Sequence, residues 1–211
     1  MTSSPVLHCD PGRLIRWAWR DHRANQLVEF AVALPLLVMF VVGIFDFSGA
    51  FTLRQKLTNV TRAAARAGAA DPASDLFQPS APPSASVNDM FQIIDNYLIA
   101  NQINDCGISV GGFAQTPPAM WTQSNNSNGC PGSGITITIN RAYYFPEAGG
   151  APAATANCYP TSSGSQLMVI GTCVSIQYAY QWRFGRVASL LGATSGLPST
   201  ITATAVAMNE N

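Results

Sequence analysis

The pattern of apolar and polar positions divides the chain near residue 70. From Phe30 to Phe45 sixteen residues pass without a charge, about 24 Å of helix at 1.5 Å per residue. A hydrocarbon core of about 30 Å asks for roughly 20 residues. The span therefore draws on Leu27-Val28 at one end or Phe47 to Phe51 at the other, and either choice brings Glu29 or Asp46 towards the membrane. From Ser48 to Ala70, Leu53, Leu57, Val60 and Ala64 recur at helical spacing, with Arg54, Lys56, Arg62 and Arg66 mostly off that stripe, as in an amphipathic helix. No turn signal separates the halves. Residues 25–70 are expected as one helix on the order of 70 Å long, transmembrane over about 27–49 and amphipathic over 50–70. Asp71-Pro72 stops it. Pro35 removes one backbone hydrogen bond, so a helix kink is expected there.

Beyond the helix the periodicity changes. Residues 71–85 form a polar, Pro-rich linker. Ser86 and Asp89 approximate a capping box for a second helix, with Met90, Ile93, Ile94, Tyr97 and Leu98 as its buried face and an end near Asn104-Asp105. Ile108-Ser-Val110 is a short strand candidate, and Thr116 to Gly134 reads as a long loop. Ile135-Thr-Ile-Thr-Ile139 alternates strictly, the mark of a half-buried strand, and continues towards Tyr143-Tyr144-Phe145. Pro146 to Gly164 reads as loop, and Gln166 to Trp182 as the longest strand, with Val174, Ile176, Tyr178 and Tyr180 on one face. Val187 to Leu191 suggests a helical turn, and Ile201 to Met208 a closing strand. Thr on one face and small or apolar residues on the other suit a sheet packed on a helix. The expected class is α+β: a long amino-terminal helix on a small antiparallel sheet domain over 86–211, with a second helix.

Charge and cysteine content add a compartment. Net charge is zero and only 10% of residues are charged, against about 25% in a typical soluble domain. That balance excludes a nucleic-acid footprint, which needs a basic excess. Residues 1–24 carry Arg13, Arg16, Arg20 and Arg23 against Asp10 and Asp21. Such a leader stays cytoplasmic by the positive-inside rule, which sends the remainder outwards. Arg54, Lys56, Arg62 and Arg66 on the far side weaken this reading. Cys106, Cys130, Cys158 and Cys173 support it, because all four lie beyond the span and fit two disulfides in an oxidising compartment, with three connectivities open. A cleaved signal peptide is the competing reading, with Ser48-Gly49-Ala50 as small residues near a cut. Glu29 at the start of the apolar run and the unbroken helical pattern resist it.

Catalytic chemistry finds few residues. Both histidines, His8 and His22, precede the span, so the exported part has no imidazole for a Ser-His-Asp or Cys-His pair or a histidine-bearing zinc site. The cysteine gaps are too wide for metal-ligand spacing, and no cofactor is expected. Trp121, Trp182 and Tyr143-Tyr144 are expected as core packing.

Glu29 is different, because a carboxylate at the centre of a membrane helix costs about 2.5–3.5 kcal/mol and such groups tend to be functional. A cut after Ala24 would create an α-amino group at Asn25, one helical turn before Glu29. In a bundle of parallel helices that cation can pair with the Glu29 of a neighbour and fix the stagger between subunits.

The run Arg20-Asp-His-Arg-Ala-Asn-Gln-Leu-Val-Glu-Phe-Ala-Val-Ala-Leu-Pro-Leu-Leu37, followed by Leu53-Arg-Gln-Lys-Leu-Thr-Asn-Val-Thr-Arg-Ala-Ala-Ala-Arg-Ala-Gly68, resembles the amino terminus of TadE-like proteins. These are pseudopilins, or minor pilins, of the tight adherence (Flp, type IVb) pilus system. The resemblance covers roughly residues 20 to 70. It implies cutting between Ala24 and Asn25 by a prepilin peptidase, with Ala24 standing where the family usually has Gly. It also implies assembly through Glu29 and Phe30. Its expected partners are other pilins, the inner-membrane assembly platform and membrane lipid, with roles in pilus biogenesis, adhesion and biofilm formation. The expected protein is non-enzymatic and single-pass, with a cytoplasmic amino terminus and a periplasmic carboxy-terminal domain. A membrane-anchored periplasmic binding or adhesion domain outside any pilus is the alternative.

Overall fold

The computed structural model describes residues 22–72, 74, 83–109, 112–116, 119–146, 158, 168–183 and 198–210. Most of the leader and linker, Val110, the loop after Pro146 apart from Cys158, and the turn expected over Val187 to Leu191 lie outside them. Two compact units meet in sequence between Asp46 and Phe47.

The first unit contributes the start of α1, an α-helix over His22–Ala70 that runs through Pro35 without interruption. Among the described residues this is the one helix long and apolar enough to cross a membrane. Its side chains from Leu27 to Phe45 are largely exposed, with Leu27 at 70% and Phe45 at 73%.

The second unit holds the rest. The carboxy-terminal part of α1 and a second helix, α2 (Ala85–Ala100), share one core with a five-stranded antiparallel meander. The strands are β1 (Ala114–Thr116), β2 (Met120–Asn125), β3 (Ile135–Pro146), β4 (Met168–Ala179) and β5 (Thr200–Met208). Residues facing the helices line up across the ladder: Trp121 opposite Ile139, Ile139 opposite Val174, and Val174 opposite Ala205. Against them α1 sets Leu57, Val60 and Ala64, all fully buried, and α2 sets Val87, Met90, Phe91, Ile94 and Leu98. The expected stripe on α1 is thus its core face, and Leu53 packs at its edge. Gly68 allows the two helices a close approach, because a Cβ there would overlap the Met90 sulfur. The opposite sheet face is a ladder of hydroxyls, with Ser124 and Thr136 at 2.9 Å and Ser175 and Thr204 at 3.1 Å.

Three local expectations need correction. Ile108 and Ser109 are not a strand. Cys106 and Gly107 both take positive φ, and Asn104 and Asp105 side chains accept the backbone N–H groups of Cys106 and Gly107. That is turn geometry, although Ile108 is still buried. Second, the expected loop from Thr116 to Gly134 contains β2, with Met120, Trp121 and Gln123 buried. Third, the α2 cap is Ser84, which makes no side-chain capping bond, and Ser86 is a buried residue of the first turn. The buried face also includes Phe91, while Ile93 and Tyr97 sit at its margin.

A β-bulge falls between Asn140 and Tyr143 on β3. One extra residue moves the following side chains to the other face. Tyr143 accordingly packs with Cys158 and Cys173, away from the main core.

Candidate assembly interface

The assembly residues expected from the sequence lie near the start of α1. Ala24 and Asn25 fall within the helical segment, four residues before Glu29 in the case of Asn25. Glu29 is exposed, and Phe30 beside it is 58% exposed. Asp46, the other acid bracketing the apolar run, is only 5% exposed. The open carboxylate is therefore the one at the amino-terminal end. Leu34, Leu36, Leu37, Val38, Phe40, Val41 and Ile44 are all at least 44% exposed. At about 25 cal/mol per Å², covering so much apolar surface is favourable, and the helix is long and apolar enough to do so in a membrane.

The four downstream cysteines form two disulfides, Cys106–Cys130 and Cys158–Cys173. They close loops with sequence separations of 24 and 15, each worth on the order of 3 kcal/mol in the loop-entropy picture. The first is reinforced by hydrogen bonds. Asn125 Nδ2 donates to Gly107 O at 2.6 Å, Asn104 Nδ2 to Asn128 O at 2.7 Å, and Ser127 N to Cys106 O at 3.0 Å. At the second, Asn140 Nδ2 donates to Cys158 O at 2.9 Å.

Beside the first disulfide lies an open groove of about 700 Å³, lined by Leu53, Ile103, Asn104, Cys130, Tyr178 and Trp182 among others. Tyr178 donates its hydroxyl to Asn104 O at 3.1 Å. Burial, then the nearby Asp105 carboxylate, pushes the Tyr178 phenol above its ordinary value. The same two causes, in the same order, raise Asp95 on α2 above 3.8. Asp95 Oδ1 is buried with no hydrogen-bond partner among the described residues. An acid raised on folding binds more protons in the native state, so its stabilising contribution is present below the ordinary carboxylate pKa and lost as pH rises through the folded value. Asp95→Asn is expected to raise Tm of the full chain in detergent at neutral pH, with the gain vanishing below about pH 4. Thermal scans at the two pH values check this, and an equal gain at both would contradict it. No group of three or more metal-ligating side chains occurs among the described residues.

Arg141 was not singled out by sequence, yet it is the largest fully buried side chain. It follows Asn140 at the bulge and reaches into the helix layer. There its guanidinium donates to Asp71 O at 2.8 Å and to the Ser86 hydroxyl, with Pro72 O at 3.5 Å. One cation thereby joins the end of α1, the first turn of α2 and the centre of the sheet. The only advance signal was a lone arginine between an alternating strand and a Tyr pair.

No curated protein and no solved structure matches the chain. A family comparison does find the helix: residues 26–66, a stretch of α1, match the model of the TadE-like proteins.

Proposed function

We propose that the chain is a minor pilin, or pseudopilin, of a tight adherence pilus and acts without catalysis, by lateral packing of α1 against other pilins. The observation that carries this reading is the family match over residues 26–66, on a helix whose amino-terminal part is exposed and apolar. Membrane insertion is then the stored form of the subunit, and helix packing in the fibre replaces the lipid. Cleavage between Ala24 and Asn25 by a prepilin peptidase would set the α-amino group one turn from Glu29. The leader stays cytoplasmic and the sheet domain faces the periplasm, where its two disulfides would be maintained. Both histidines precede the cut, so the mature chain offers no imidazole for acid-base work. Inner-membrane platform proteins are the further partners, and adhesion and biofilm formation the processes served.

Mass spectrometry of the membrane-extracted protein tests the processing step. It is expected to find Asn25 at the amino terminus. An intact Met1, or a terminus near Ala50, would contradict it. The groove beside Tyr178 favours the second reading, a membrane-anchored periplasmic binding or adhesion domain, for which α1 would need neither the cut nor the Glu29 charge.

A further inference from the structure

The geometry points to a seat for the sheet domain on the bilayer that carries the span, built from Phe47, Phe51, Tyr180 and Trp182 and bordered by Arg54 and Arg183. The partner is the headgroup layer of the outward-facing leaflet, on the periplasmic side. This rests on the membrane-inserted form described under the proposed function.

Chain connectivity sets the depth. Twenty residues counted from Leu27 end at Asp46, roughly the length a hydrocarbon core requires. Phe47 is the next residue, so it lies where the helix leaves the acyl region. Phe47 and Phe51 share one helix face and are 54% and 62% exposed. From Phe47 to Arg54 the helix rises about 10 Å. A headgroup layer is about 5–8 Å deep on each side, so the apolar-to-basic transition spans about that layer.

The chain after β4 is brought to the same level. Trp182 packs on Phe47 with ring centroids 5.1 Å apart, and Tyr180 meets Trp182 edge-on at 4.9 Å. Gly49 lets this happen, since a Cβ there would sit 3.0 Å from the Tyr180 hydroxyl. Trp182 Nε1 donates to Pro198 O at 2.7 Å, a solvent-exposed bond. Rings with an apolar body and a polar handle are the side chains that collect at membrane interfaces. The exposed Arg183 adds a guanidinium suited to phosphate. Core packing accounts for Trp121, which is 3% exposed, and holds the partly buried Tyr180 and Trp182 at its edge, but it does not account for Phe47 and Phe51, which stay 54% and 62% exposed beside the span.

Full-length protein is reconstituted into vesicles with lipids brominated near the glycerol end of the acyl chain. The Trp182 signal is the emission of the natural chain minus that of Trp182→Phe, which keeps a ring against Phe47 and cancels the leader tryptophans. Brominated vesicles are expected to remove most of that difference signal relative to unbrominated ones. Flotation is measured in parallel. Protein that floats with the vesicles but keeps its Trp182 emission overturns the membrane seat alone. Protein that does not float overturns the membrane-inserted form, and the seat with it.

Discussion

Arg141→Ala is expected to destabilise the sheet domain by about 3 kcal/mol or more. Alanine removes a side chain with no solvent exposure and leaves a cavity in a close-packed layer, which large-to-small core changes show to be costly. It also strips a guanidinium donor from the part-buried Asp71 O and from the buried Ser86 hydroxyl, and hydrogen bonds to charged groups contribute about 1.5–3 kcal/mol. Asp71 O and Pro72 O follow the end of α1, where helix carbonyls carry partial negative charge that a guanidinium complements. Arg141→Met separates the terms. It restores volume without donors, so its loss measures the polar part, while Arg141→Lys keeps the charge but not the planar fork. Denaturant midpoints with unchanged slope give the values. A loss for Arg141→Ala within about 0.5 kcal/mol, the range of ordinary surface changes, would show that the guanidinium does not join the three elements.

How far the fold was legible follows from which interactions are local. Leu53, Leu57, Val60 and Ala64 announce their face because helical spacing alone puts them together, and three of the four are fully buried. Ile135, Ile137 and Ile139 do the same at strand spacing. Strand β2 was hidden because Met120-Trp-Thr-Gln-Ser-Asn125 has little β-branched character and sits among Pro, Asn and Gly. What makes it a strand is its neighbour, with Trp121 opposite Ile139 and Gln123 opposite Ile137. Ser86 misled for a related reason: its spacing to Asp89 fits a cap, but its hydroxyl is taken by an arginine 55 residues away. The disulfide pairing was open in the sequence and is settled by the structure, which joins Cys106 to Cys130 and Cys158 to Cys173. Glu29 was legible without any fold, since an acid bordering an apolar run is conspicuous on energetic grounds alone. Its proposed counter-ion belongs to another subunit, so no contact within one chain could display it.

Glu29 therefore carries the second large effect, a loss of assembly with the fold retained. A carboxylate in a membrane helix opposes insertion by about 2.5–3.5 kcal/mol at the centre and less towards the ends. Glu29→Ala and Glu29→Gln should consequently insert at least as well as the natural chain. Any defect must arise later, when the helix packs beside another. In that apolar setting the Asn25 α-amino group of one subunit paired with the Glu29 carboxylate of its neighbour stabilises one stagger over others, and an unpaired charge disfavours the rest. The alanine variant removes charge and stem, whereas the glutamine variant keeps size and hydrogen bonding. Failure of both would assign the effect to the charge.

The decisive measurement follows the natural chain and the two Glu29 variants, co-expressed with their pilin partners, into membrane and sheared-fibre fractions. The account predicts equal membrane levels for all three and recovery of only the natural chain with the pilins. Normal recovery of either variant with the pilins would contradict a role for the Glu29 charge in assembly.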